Sequence, residues 1–299
     1  MTMWDVIGVG ANSVDYVYRL PTYPRPDSAT SKLRIASYRV SFGGQTATAL
    51  CTCAALGLRT KYIGAFGNDD SGRRIRNEVA GLGVDVDDAV VRDAPNPFAV
   101  ILLDGEHGER IVLWNRDSRL ALQPDEVKPD AVRSARLVHV DDVDANAAIL
   151  AAHIAREAGI PVTSDIEATT DRTAELVAAV TIPIFAEHAL QALTGEDDFE
   201  RALRKVRRTH EGLLCVTSGS RGAMLLDGDR LHHEPGLPVN AIDTTGAGDV
   251  FRGAFICALL RGDEPPDILR FANAAAALSC TREGAIASVP ALREIGPIS

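Results

Sequence analysis

The stretch with the most chemical content is "DTTGAGDVF", residues 243–251. Gly246, Ala247 and Gly248 lie between two aspartates, just ahead of the apolar run "VFRGAFICALL", which reads as a helix. A helix starting near Gly248 leaves the backbone N–H groups of Ala247, Gly248 and Asp249 pointing outward at the positive end of its dipole. Preorganised donors of that kind suit a transferring phosphoryl group, and glycines let it approach with no Cβ in the way. Asp249 stands beside that anion hole. It reads either as a cap that compensates the dipole or as a group that does chemistry, the obvious task being to accept a proton from an attacking hydroxyl. The run has no lysine and is not GxxxxGK[ST], which excludes the P-loop class.

Two further glycine clusters follow strand-like runs. "GVGANS" (8–13) begins like a dinucleotide fingerprint but has Ser13 where the third glycine belongs, and no acidic residue follows about 20 positions on, so a Rossmann cofactor site is not indicated. Asn12 and Asp15 leave the carboxyl end of that first strand, where open α/β sheets bind ligands. They read equally as hydrogen-bond partners of substrate hydroxyls and as a turn-capping pair. In "SFGGQTATALCTCAALG" (41–57), Gly43 and Gly44 precede a helix whose N-terminus would favour a polar or anionic group. Asp141, Asp142 and Asp165 also fall at strand ends, where capping a following helix accounts for them.

The elements that must position these residues alternate. Strand-length apolar runs are "DVIGVG" (5–10), "TKYIGAFG" (60–67), "LVHVD" (137–141), "IPVTSDI" (160–166) and "LLCVTSG" (213–219). Helical runs lie between them at 45–56, 70–82, 144–158, 171–180, 187–194 and 197–209. That rhythm predicts an α/β fold with a mostly parallel central sheet covered on both faces. Residues 16–42 and 98–114 break it with strand character of their own, the second as a hairpin turning at "DGEHGE", and are expected to form a small β-strand lid. The 299 residues are read as one domain carrying that lid.

The net charge of −10, with no basic stretch to offset it, argues against a nucleic-acid partner. Five cysteines, odd in number and in apolar contexts without a CxxC pair, read as buried thiols rather than as disulfides or a zinc site. No apolar run reaches the roughly 18 residues of a membrane span, so a cytoplasmic protein is expected.

Taken together, "DTTGAGDVFRGAF", "GGQTATALCTCAALG" and their order and spacing from "GVGANSVD" to "REGAIASVP" resemble the ribokinase-like (PfkB) family of sugar kinases. The resemblance implies a three-layer ribokinase-like fold and transfer of the γ-phosphoryl group of ATP to a hydroxyl, with Mg²⁺ and often a stimulating monovalent cation such as K⁺. It makes Asp249 the catalytic base, with Gly246, Ala247 and Gly248 as the anion hole. Asp15, Gly43 and Gly44 would face the sugar, with Asn12 beside them. Thr217 and Gly219 in "VTSGSRGA", with Asn273 and Gly284, would line the nucleotide site. Asp243 and Thr245 would give oxygens to the monovalent cation.

Two departures stand out. Relatives often carry Asn where this chain has Thr48, and Ala186 and Ala189 in "FAEHALQALTG" stand where many relatives have an Asn-x-x-Glu segment that assists magnesium, with Glu187 as a substitute. "GERIVLWNRDSRLAL" (108–122) is similar to a segment of 2-keto-3-deoxygluconate kinases and fructokinases, in which Arg116 would pair with a substrate carboxylate or phosphate. An exposed arginine after an edge strand is the plainer alternative. A kinase for a sugar or sugar acid is the favoured reading, against a nucleoside kinase on the same scaffold or a non-catalytic sugar-binding relative. The lid strands are candidates for pairing with a second subunit.

Overall fold

The computed structural model describes residues 3–104 and 110–296. In chain order the strands are β1 (Trp4–Val9), β2 (Ser13–Leu20), β3 (Ser37–Gly43), β4 (Thr60–Ile63), β5 (Ala65–Gly67), β6 (Val84–Asp85), β7 (Val90–Arg92), β8 (Phe98–Asp104), β9 (Arg110–Asn115), β10 (Ala135–Asp141), β11 (Val162–Ile166), β12 (Ile182–Ala186), β13 (Leu214–Thr217), β14 (Ala223–Asp227) and β15 (Arg230–Glu234). The helices are α1 (Gln45–Ala55), α2 (Asp70–Gly81), α3 (Pro129–Arg133), α4 (Ala145–Glu157), α5 (Thr173–Ala179), α6 (Glu187–Thr194), α7 (Phe199–Arg207), α8 (Ala247–Arg261), α9 (Pro265–Ser279) and α10 (Leu292–Ile295).

The main sheet runs β15-β14-β13-β12-β11-β10-β1-β4-β6, parallel from β13 to β6 and antiparallel at the β13–β14–β15 edge. Successive side chains of a strand point to opposite faces, and the two cores record it. Ile7, Val9, Val138, Val140, Phe185 and Val216 enter the core shared with α4 to α7, whereas Val6, Leu137, Ile184 and Cys215 enter the cores shared with α1, α8 and α9. This is the α/β architecture expected, with helices on both faces of a mostly parallel sheet.

The lid is a second sheet, β3-β2-β8-β9, in which β2 and β8 are parallel and both outer pairs antiparallel. The expected "DGEHGE" turn falls mostly outside the described residues. "TKYIGAFG" is not one strand: it breaks at Gly64, where a Cβ would stand 2.1 Å from the Tyr62 hydroxyl and 2.5 Å from the Gly10 carbonyl. β12 lies outside the sequence-based strands, and its Pro183 argues against a central strand from sequence alone. The cysteines are free, four buried and Cys280 partly so.

α1 and α8 cross in close contact at Gly253, where a Cβ would come 2.5 Å from the Ala49 carbonyl and 2.5 Å from Thr52 Cβ. The same pair meets at its other end, where Thr48 approaches Gly246, so both helices begin at the same end of the molecule. Gly253→Ala should therefore cost about 1–3 kcal/mol through overpacking, read as a lowered urea midpoint with unchanged slope. An unaltered midpoint would show that the helix crossing is not the tight point described.

Candidate active site

α8 begins at Gly246, which has φ 76°, a left-handed conformation suited to glycine. A Cβ there would also lie 2.5 Å from Ala285 Cβ. Among the described residues no side chain caps the helix. Val250 is the first amide to bond back, to the Gly246 carbonyl at 2.9 Å, and the Ala247 amide is held by the Thr244 carbonyl at 3.3 Å. The Gly248 and Asp249 amides have no intrahelical carbonyl within reach, so two donors, not the three expected, are left to an anion at the dipole's positive end.

Opposite lies the start of α1. Gly44 has φ 98° and packs so closely that a Cβ would sit 2.4 Å from Asn12 Cα, so this position requires glycine. Gly43 faces Ala285 and the Asp15 carboxylate, at 3.2 and 3.8 Å from where its Cβ would be. Ala285 thus stands between Gly43 and Gly246, and the two glycine-lined helix starts converge on it. Thr48, in the first turn of α1, is fully buried and its hydroxyl has no hydrogen-bond partner among the described residues.

Beneath Asp249 is a buried ion pair that sequence reasoning did not single out. Arg252, one turn along α8 and so on the same face, stands 2.7 Å from Asp165 at the end of β11, both side chains almost fully buried. The contact is not aligned as a hydrogen bond, so both Asp165 oxygens and two guanidinium nitrogens keep bonding capacity. Asp249 is half-buried and its carboxyl is pushed well above the usual range, first by burial and then by the charges of Asp165 and Glu167, with Arg252 opposing. Asp165 is shifted upward too, by burial against the pull of Arg252. Burial and the mutual repulsion of the two carboxylates outweigh the attraction of one guanidinium, so the pair gives up its protons less readily than ordinary aspartates.

The other strand-end aspartates serve the scaffold. Asp141 Oδ2 accepts from the Ala11 amide at 2.6 Å and the Thr46 hydroxyl at 2.7 Å, and burial pushes its pKa up to about 6. Asp142 Oδ2 accepts from the Glu167 and Ala168 amides at 2.8 and 2.6 Å.

A cleft of about 550 Å³ opens on the far side of the α8 N-terminus. Thr217, Gly219, Ala247, Gly248 and Asn273 line it, and Leu237, Pro238, Val239, Ala276 and Ala277 give it apolar walls. Asn273 anchors one wall by donating to the Glu234 and Pro235 carbonyls at 2.9 and 3.3 Å. Gly284 is not among the lining residues; its amide donates instead to Asp243 Oδ2 at 2.8 Å. Asn12 is on the opposite side, with its amide donating to Tyr62 and the Ala65 carbonyl at 3.0 and 2.7 Å and accepting from Asn96 at 3.0 Å. Arg116 is tied to Asp144 at 2.6 Å and to the Leu120 carbonyl at 2.9 Å. Ala186 caps β12 onto α6 and Ala189 is buried, and Glu187 pairs with Arg221. Thr245 closes a turn onto Asp243, its amide and hydroxyl donating to Oδ1 at 3.0 and 2.7 Å.

The pfkB family carbohydrate kinase model matches residues 11–292. The chain belongs to the pfkB family of carbohydrate kinases. It is 32% identical over 285 residues to the ATP-dependent ribose-1-phosphate kinase of Halopiger xanaduensis, covering 95% of this chain and 94% of that one. It is 26% identical over 292 residues to the nucleoside kinase of Methanothermobacter thermautotrophicus, covering 96% and 92%. The structure of Arabidopsis thaliana ribokinase complexed with ribose and ATP superposes with a TM-score of 0.85 at 26% identity, covering 98% and 97%. The chain is therefore a carbohydrate kinase with a ribokinase-like fold. Among its described residues no helix is long and apolar enough to cross a membrane.

The buried pair gives a pH-dependent prediction. A raised folded pKa means that Asp165 favours the folded state at low pH and that this contribution is lost as pH rises through the folded pKa. Arg252→Met would raise that pKa further and leave a buried charge uncompensated. The variant should lose about 3–5 kcal/mol near neutral pH and distinctly less under acid conditions, where Asp165 is protonated. Denaturant unfolding across pH checks this; a deficit independent of pH would contradict it.

Proposed function

We propose that this pfkB kinase transfers the γ-phosphoryl group of ATP to a hydroxyl of a small sugar or sugar acid, with Asp249 as general base and the 246–249 backbone as anion hole. The observation that carries the reading is the place of Asp249: on the first turn of α8, next in chain to Ala247 and Gly248, which line the cleft, and one turn from Gly246, where α1, α8 and Ala285 meet. ATP in the cleft would direct its terminal phosphate at the Gly248 and Asp249 amides. The acceptor, held beside Asp15 and Gly43 under the lid, would present its hydroxyl from the other side. The raised proton affinity of Asp249 suits a base, and Arg252 keeps it from holding its proton too firmly. Closing the lid over the acceptor would keep water from taking the phosphoryl group.

Mg²⁺ accompanies ATP in phosphoryl transfer, where it neutralises charge on the phosphate oxygens. Ala186 and Ala189 offer it no donor, and among the described residues no group of three His, Cys, Asp or Glu is disposed to hold a metal. Mg²⁺ would then be held through the nucleotide's phosphates and water, as its preference for retained waters allows.

The acceptor is tested by coupled ADP release over ribose, fructose, ribose-1-phosphate, 2-keto-3-deoxygluconate and nucleosides. Turnover of a free sugar or sugar acid is expected, and turnover of nucleosides alone would overturn that choice. Asp249→Asn should lower kcat by at least about 10²-fold with little change in ATP affinity; near-normal turnover would remove Asp249 from the role of base.

The lid is also proposed to pair with a second copy of the chain. β9 is an edge strand whose Ile111, Val112, Leu113 and Trp114 are all exposed, Trp114 at 77% and Leu113 at 56%, so apolar side chains are uncovered on both its faces. Trp114→Glu is expected to convert a dimer to a monomer by light scattering; a monomeric parent protein would contradict the pairing.

A further inference from the structure

Asp243 is the aspartate of the motif that stands away from the chemistry, and by resemblance it and Thr245 would supply oxygens to a monovalent cation. Its carboxylate is already filled. Oδ1 accepts from the Thr245 amide and hydroxyl at 3.0 and 2.7 Å, and Oδ2 accepts from the Gly284 amide at 2.8 Å and from Arg39 Nη2 at 2.5 Å. A carboxylate offers about four lone-pair sites, and four donors use them. One of those donors carries a full positive charge. Arg39 extends its other amino group to Glu283 at 3.2 Å, so the guanidinium bridges two acids, Asp243 on the approach to α8 and Glu283 beside Gly284. A second cation placed against Asp243 would meet like charge at contact range. The residues present therefore do not fit a bound monovalent ion.

We propose that Arg39 takes the place of a monovalent cation in this enzyme, as a positioning residue whose guanidinium holds Asp243 and, through it, the Thr244–Gly246 turn that opens the anion hole. The physical logic is local. Burial alone would raise the pKa of Asp243, yet the Gly284, Thr245 and Arg39 contacts together hold it below the usual carboxylate range, so the acid stays ionised and the turn stays fixed. The Ile242 and Asp243 amides are tied to the Cys280 carbonyl at 2.8 and 3.2 Å, which fixes the other side of the same segment. An arginine is suited to the task because it remains charged and presents two parallel donors.

The replacement differs from a dissolved ion in one respect. Arg39 belongs to β3 of the lid, and Asp243 to the loop before α8, 204 residues away. The charge that steadies the anion hole therefore travels with the lid. Closure over the acceptor and alignment of the phosphoryl site become one event, and an open lid would withdraw the guanidinium. A 480 Å³ cleft lined by Arg39, Val17, Ile101, Asp243 and Thr245 lies at this junction, with room for the lid strands to move against the loop.

The kinetic part of this inference rests on the kinase reading above; the binding part does not. Initial rates and thermal unfolding are compared in potassium, sodium, caesium and tetramethylammonium salts at a constant ionic strength of about 0.1 M. These are measured for the parent enzyme, Arg39→Ala and Arg39→Lys. The parent enzyme should show the same kcat and the same Tm in potassium as in tetramethylammonium. Arg39→Ala should lose about tenfold in kcat in tetramethylammonium, with a smaller change in KM for ATP, and should regain activity and Tm selectively in potassium or with added guanidinium. Arg39→Lys should stay closer to the parent. A parent enzyme stimulated several-fold by potassium, or stabilised by it selectively, overturns the proposal, as does an Arg39→Ala enzyme of parental rate in tetramethylammonium. Should Arg39→Ala fail to fold, the salt response of the parent Tm decides. Should no acceptor be phosphorylated, the kinase reading fails, while the unfolding series still decides whether a cation binds.

Discussion

The close crossing of α1 and α8 is the constraint on which the rest of this molecule depends. Gly253 leaves no room for a Cβ between the helices, and that proximity carries back along both axes to their first turns. There Gly43 and Gly246 meet across Ala285, with no room at Gly246 for a Cβ. Two helix dipoles then direct their positive ends into one small region, and the Gly248 and Asp249 amides are exposed to whatever anion enters. The sheet supplies the third side, because its parallel strands end there together and carry Asn12, Asp141 and Asp165 to the same rim.

Charge in that region is arranged in two layers. The outer layer is Asp249, half-buried on the first turn of α8 beside the cleft-lining Ala247 and Gly248. The inner layer is the Asp165–Arg252 pair, whose opposed charges act on Asp249 after burial, Asp165 raising and Arg252 lowering its hold on a proton. A buried ion pair adds little to stability by itself, and removing one partner is costly. Its contribution here is better described as electrostatic adjustment of the neighbouring acid. Asp141 and Asp142 carry comparable charge nearby, but their oxygens are engaged by backbone amides and serve to knit loops together.

What could be read from the sequence divides along the same physical line. The 243–251 run is local: its glycines, helix start and acid are all set by neighbours a few residues apart, and the structure keeps that order. The parallel sheet and its covering helices were legible from periodicity for the same reason. Asn12 and Arg116 read as ligand contacts because their types and positions allow it, while the groups that engage them, Tyr62, Asn96 and Asp144, are brought up by tertiary folding. Arg39 gave no local signal at all, since its partners are on the far side of the chain. Arg252 had one, being a turn beyond Asp249 within the motif. The β14–β15 hairpin also had one, in the Gly228-Asp229 turn between its two strands. The missing Asn-x-x-Glu donors were legible at Ala186 and Ala189, whereas the engagement of Glu187 by Arg221, 34 residues on, was not.

The most direct test of the account is a crystal structure with a turned-over sugar and a non-hydrolysable ATP analogue. The account predicts the terminal phosphate on the Gly248 and Asp249 amides and the acceptor hydroxyl within about 3 Å of the Asp249 carboxylate. A terminal phosphate bound away from the α8 N-terminus, or an acceptor hydroxyl directed at a different carboxylate, would contradict it.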